Sequence, residues 1–138
     1  MWGALAAAIV LGSSSPTATH PSRIVFVSSR TSVAQLYSVE PSGRGLAQLT
    51  FGPGGWSKPL PSPDGRFVAA FRGNHELWLM RGDGRDARLV AEKVSGHPSW
   101  SRNSRRLVFV QGWAIWAVAA AGGAPRTGTC GPRCAGRT

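Results

Sequence analysis

Acidic side chains are scarce in this 138-residue chain, with six Asp and Glu against sixteen Lys and Arg and a net charge of +10. Glu40, Asp64, Glu76, Asp83, Asp86 and Glu92 each fall near a turn or strand end, so none needs an acid-base role. Cysteine is rarer still. Cys130 and Cys134 lie four apart with Pro132 between them, and two thiols do not complete a four-ligand structural zinc site. Nothing in the spacing of His75 or His97 makes either a further ligand. In an oxidising compartment a local disulfide stays open, though so short a loop would restrain little beyond itself. Long apolar runs are missing: the longest, Trp2 to Gly12, falls well short of the roughly 20 residues that a membrane-spanning helix needs. There is no Gly-x-Ser-x-Gly elbow, no glycine-rich phosphate loop and no His-Glu-x-x-His pair. No catalytic residue, metal ligand or cofactor site is therefore expected, and an enzyme is not the leading reading.

What the chain does have is an internal repeat. Arg23-Ile24-Val25-Phe26-Val27-Ser28 returns as Phe67-Val68-Ala69-Ala70-Phe71-Arg72 and again as Arg106-Leu107-Val108-Phe109-Val110-Gln111, a period near forty residues. A second element follows each copy: Leu36-Tyr37-Ser38-Val39, Leu77-Trp78-Leu79-Met80 and Ile115-Trp116-Ala117-Val118. Turns with glycine come next, Pro41-Ser42-Gly43, Gly82-Asp83-Gly84 and Ala121-Gly122-Gly123, as tight hairpins require. Ala47-Gln48-Leu49-Thr50 and Ala87-Arg88-Leu89-Val90 read as matching outer strands, whereas Pro125-Arg126-Thr127-Gly128 loses the pattern and leaves the last unit looking unfinished. The first strand of each unit is apolar at consecutive positions, which demands that both sheet faces be covered. Stacked blades of a β-propeller meet that demand, and repeats of this length with several short strands fit one. Between copies, Asp64 and Asn103 hold equivalent turn positions, where such side chains accept a backbone N–H two residues on.

Strand, aliphatic-aromatic pair, turn, Leu49-Thr50, then Ser62-Pro63-Asp64-Gly65 and Pro98-Ser99-Trp100-Ser101 resemble the repeat of TolB-type, WD40-like β-propellers over about Arg23 to Arg126. The second copy carries Arg102-Asn103-Ser104 where that family has Pro-Asp-Gly. The resemblance implies an all-β fold of two to three antiparallel blades, about 2.5, in an incomplete ring. Ser62, Pro63, Asp64, Gly65, Pro98, Trp100, Ser101 and Asn103 form its structural repeat motif. It also implies a role at the cell envelope, in the periplasm or outside the cell, holding a protein or peptide partner.

Three regions are expected: an apolar segment and linker over 1–20, propeller repeats over 21–126 and an irregular tail over 127–138. The first has the length of a signal-peptide core but lacks a preceding Lys or Arg and a clean cleavage site. A secretory signal, a membrane-tethering stub and a plain apolar tail all stay open, with export favoured. Propellers close with about four to eight blades, so the repeats cannot make a ring alone. A fragment of a longer gene product is the preferred explanation, beside self-association through open blade faces and a short open stack.

The basic residues are scattered over turns and strand ends, which reads as solvated surface rather than a specific nucleic-acid site. Of six tryptophans, Trp78 and Trp116 share a repeat position with Tyr37 and Trp100 sits in a repeat motif, so these three are packing residues. Trp56 and Trp113 fall outside the pattern and are the candidates for ligand contact. The leading reading is a non-catalytic exported interaction module. The alternatives are the propeller remnant of a larger prolyl-oligopeptidase-like hydrolase, whose nucleophile would lie in a separate domain, and a weak polyanion binder.

Overall fold

A computed structural model describes residues 22–128. The apolar segment, its linker and both cysteines lie outside the described residues. Eleven strands form three antiparallel sheets in chain order, with no helix among the described residues. The first holds β1 (Ile24–Ser28), β2 (Gln35–Val39) and β3 (Ala47–Gln48). The second holds β4 (Trp56–Pro61), β5 (Phe67–Arg72), β6 (Glu76–Arg81) and β7 (Arg88–Ala91). The third holds β8 (Val94–Trp100), β9 (Arg106–Gln111), β10 (Ala114–Ala119) and β11 (Arg126–Thr127). Within each sheet every strand pairs with its neighbour in sequence, so each is a meander of the kind that makes a propeller blade.

Two apolar layers hold the sheets together, and β5 supplies both. Because successive side chains in a strand point to opposite faces, Val68 and Ala70 enter a layer with Leu36, Leu49, Trp56 and Met80, between the first and second sheets. Ala69 and Phe71 enter the other, with Leu77, Leu79, Val90, Val94, Leu107, Phe109 and Val118, between the second and third. An uninterrupted apolar strand is thus explained by burial on both sides. Each fully buried Leu or Phe contributes roughly 1.5–3 kcal/mol, so the two layers dominate the stability.

The structure corrects two details of the repeat. The third copy is not unfinished: Arg126 and Thr127 form β11, opposite Ala117 and Trp116, and the sheet with three strands among the described residues is the first. The outer strands also align one residue differently from the sequence match. Gln48 faces Tyr37 and Leu89 faces the equivalent Trp78, so Leu49 corresponds to Val90 rather than to Leu89. A one-residue slip exchanges the faces of a strand; this register buries Leu49 and Val90 and leaves Leu89 exposed.

Both described first strands of complete sheets are bulged, β4 between Ser57 and Leu60 and β8 between Ser95 and Ser99. Pro59 and Pro98 lie inside these bulges, where the missing N–H breaks no regular ladder.

Candidate functional site

The turns that join β4 to β5 and β8 to β9 are built alike, although one carries Asp-Gly and the other Asn-Ser. In the first, the Ser62 hydroxyl donates to Asp64 Oδ1 (2.7 Å) and accepts the Phe67 N–H (3.0 Å), while Asp64 Oδ1 also accepts the Arg66 N–H (3.0 Å). In the second, the Ser101 hydroxyl donates to Asn103 Oδ1 (2.7 Å) and accepts the Arg106 N–H (3.0 Å), and Asn103 Oδ1 accepts the Arg105 N–H (3.1 Å). The left-handed position is Gly65 in one (φ 73°) and Ser104 in the other (φ 59°). Ser104 has a use that glycine could not supply: its buried hydroxyl accepts the Asp64 N–H at 3.0 Å, tying the two turns together across the sheets.

Burial by itself raises the Asp64 pKa, but hydrogen bonds from Ser62, the Arg66 backbone and Ser104, with the Arg66 charge, outweigh it and hold the carboxyl below its ordinary 3.8. The group is an ionised turn constituent. Trp100 makes a parallel tie, its Nε1 donating to the Leu60 carbonyl (2.9 Å) and its ring stacking on Phe67 at 6.3 Å. Pro63 and Gly65 complete the first turn, and Pro98 lies in the β8 bulge that leads to the second, so the repeat motif gathers toward one end of the sheets.

The same end carries the hairpin turns β2–β3, β6–β7 and β10–β11, and among them opens a cavity of about 980 Å³. Arg23, Arg66, Arg81 and Arg88 line it against Asp83 and Asp86, an excess of two positive charges. Arg23 comes from the first sheet and Arg66, Arg81 and Arg88 from the second, and Arg23 and Arg88 are held by hydrogen bonds. Arg23 donates to the Ser38 hydroxyl (3.1 Å) and the Gly45 carbonyl, and Arg88 spans to the third sheet by donating to the carbonyls of Ala119 (2.8 Å) and Gly123 (2.9 Å). Arg81 pairs loosely with Asp86 at 3.9 Å, both exposed. An open, cationic recess with two of its arginines preset suits an extended anionic ligand more than a small molecule, since focused positive potential attracts acidic groups without enclosing them.

Close packing shapes this end as well. Gly84, in the β6–β7 turn with φ +85°, leaves room for Leu49 of the first sheet: a Cβ there would lie 2.4 Å from the Leu49 carbonyl oxygen. Gly43, with the same φ in the β2–β3 turn, has open space around it.

Trp56 and Trp113, set apart by the repeat, lie in opposite environments at the other end. Trp56 is only 5% exposed, edge-on to Trp78 at 5.7 Å in the layer between the first two sheets. Its ring is core, and a surface ligand does not reach it. Sequence position alone hid this, because it opens β4, a strand with no counterpart in the first sheet among the described residues. Trp113 tips the β9–β10 turn and is fully exposed. Arg72 covers Trp56 and Trp78, 5.8 and 5.4 Å from their ring centroids, which adds cation–π attraction. Among the described residues, no three His, Cys, Asp or Glu side chains are grouped to hold a metal ion. The arginine-lined recess went unseen in the sequence, since its charges are separated there by up to 65 positions.

No protein-family model matches the chain, and no curated protein is significantly similar to it in sequence. Solved structures do match. A candidate TolB from Agrobacterium tumefaciens superposes with a TM-score of 0.59 at 23% identity, over 76% of this chain and 44% of that one. TolB from Acinetobacter baumannii gives 0.57 at 16% identity, over 78% and 30%. An oligogalacturonate lyase in complex with manganese gives 0.57 at 22% identity, over 68% and 30%. The chain therefore has the fold of part of a TolB-type propeller, and spans less than half the length of the structures it matches.

Proposed function

We propose that this chain is an exported, non-catalytic propeller module that binds a protein or peptide partner at the cell envelope. The observation that carries this reading is the recess at the repeat-motif end, where four arginines surround a cavity of about 980 Å³ and two of them, Arg23 of the first sheet and Arg88 of the second, are fixed by backbone carbonyls. An acidic, extended segment of the partner suits it: carboxylates pair with guanidinium groups already oriented, which lowers the entropy lost on binding. The likeness to TolB structures supports the envelope role, and Trp113 at the far end offers a second contact.

A second reading is an acidic oligosaccharide ligand, favoured by the oligogalacturonate lyase among the structural neighbours. Titration of the chain with a labelled acidic peptide, a neutral peptide of equal length and oligogalacturonate separates the two. The proposed function expects the acidic peptide to bind, and the double variant Arg66→Glu and Arg81→Glu to weaken it at least about tenfold, each removed charge-assisted contact being worth roughly 1 kcal/mol at a partly exposed site. Preference for oligogalacturonate, or its consumption on incubation with Mn²⁺, would replace this reading with the saccharide one. Binding unaffected by the charge reversals would remove the recess from either.

A further inference from the structure

The third sheet presents to solvent the face that the second sheet buries. Register makes the equivalence explicit: Ala69 faces Leu79 and Phe71 faces Leu77 across β5 and β6, and Val108 faces Ala117 and Val110 faces Ile115 across β9 and β10. The first four are buried against the third sheet. Their counterparts are only partly covered: Val108 and Ala117 are half-buried, Ile115 is 60% exposed and Val110 38%. The first sheet shows the complementary half. Ile24, Phe26, Tyr37 and Val39 correspond to Val68, Ala70, Trp78 and Met80, the residues with which the second sheet meets the sheet before it. On that face Ile24 is 51% exposed and Phe26 and Val39 are half-buried, while Tyr37 is already covered, stacked with Phe26 and beneath the Arg30 guanidinium.

From this we infer that the open face of the third sheet docks on the first sheet of a second copy, and the reverse contact closes a ring of two chains. The interface continues one that the molecule already makes twice, between its first and second and its second and third sheets. The blade count fits: the three sheets among the described residues of each chain give six in a pair, inside the range of about four to eight in which propellers close. The contact is head-to-tail, using different faces of each copy, and such contacts end in a closed ring only when the rotation returns to the start. With a net charge of +10 on each chain, mutual repulsion opposes the pairing, and added salt screens it. The inference is independent of the rim recess, which lies at the strand ends rather than on these faces.

Light scattering behind size exclusion, on the full chain at about 100 µM in moderate salt, tests it. The expected result is a species of twice the 14.6 kDa chain mass, sharpened by raising the salt. Ile115→Arg and Ile24→Arg change exposed positions, so each keeps the strand signal in circular dichroism, and each should lose the dimer. Mixing the two variants should restore a weaker pair, because one of its two contacts is intact on both partners. A monomeric wild type, open-ended larger assemblies, or a dimer that survives either substitution would overturn the inference. Loss with Ile115→Arg alone would do the same, since it would mean that two third sheets face each other.

Discussion

Replacing Ser104 by alanine and by glycine separates two opposed contributions at a single backbone position. Ser104 adopts φ 59°, a conformation that costs a non-glycine residue roughly 1–2 kcal/mol, and in return its hydroxyl accepts the Asp64 N–H of the neighbouring turn. Ser104→Ala keeps the strain and loses the bond, so it should destabilise by about 1 kcal/mol, the usual net worth of a hydrogen bond. Ser104→Gly loses the same bond and relieves the strain, but adds roughly 0.5–1 kcal/mol of unfolded-chain entropy. At the middle of these ranges glycine falls between wild type and alanine, about 0.3 kcal/mol below the wild type. Urea unfolding followed by tryptophan fluorescence reads the order directly as midpoints, provided the transition slopes agree. A glycine variant less stable than the alanine one would refute the strain argument, and an alanine variant as stable as wild type would refute the tie between turns.

Asp64→Asn should change stability little at neutral pH, because Asn103 shows that an amide oxygen accepts the same Ser hydroxyl and backbone N–H. Its effect belongs at low pH: a carboxyl held below 3.8 in the folded state stabilises above its unfolded pKa, and that contribution is lost as pH falls through the folded value. Unfolding midpoints measured from pH 7 down to about pH 2, through the unfolded and then the folded pKa, should therefore fall less steeply for the variant, and an unchanged slope would contradict the assignment. Gly84→Ala should cost roughly 2–4 kcal/mol, from left-handed strain plus displacement of a packed backbone, whereas Gly43→Ala, at the same φ in open space, should cost about 1 kcal/mol. Equal losses in thermal or urea unfolding would mean that the approach of Gly84 to Leu49 is unimportant.

What can be read from this sequence is what lies within a few residues. Asp64 and Asn103 sit two positions before the N–H groups they accept, and the apolar pattern of Val68 to Phe71 states that both sides of a strand are buried. The unit of repetition is legible for the same reason. Harder to see are features that depend on where another sheet arrives. The β11 strand is two residues long and carries Arg126 and Thr127, both exposed, so no hydrophobic pattern marks it. The offset of the outer strands follows from which of Leu49 and Val90 finds a core, not from the letters around them. Trp56 reads as an outlier until Trp78 and Leu36 are beside it. The rim recess exists only because three hairpins end at one level, bringing together arginines that the linear order scatters.

Alternate residues of β5 serve different layers, Val68 and Ala70 one, Ala69 and Phe71 the other. Inserting or deleting a single residue within that strand would exchange the two sets and spoil both interfaces at once. Length variation is consequently confined to the connecting turns, or to the gain and loss of whole sheets. The fold can therefore grow by copying a unit more readily than by editing the inside of one.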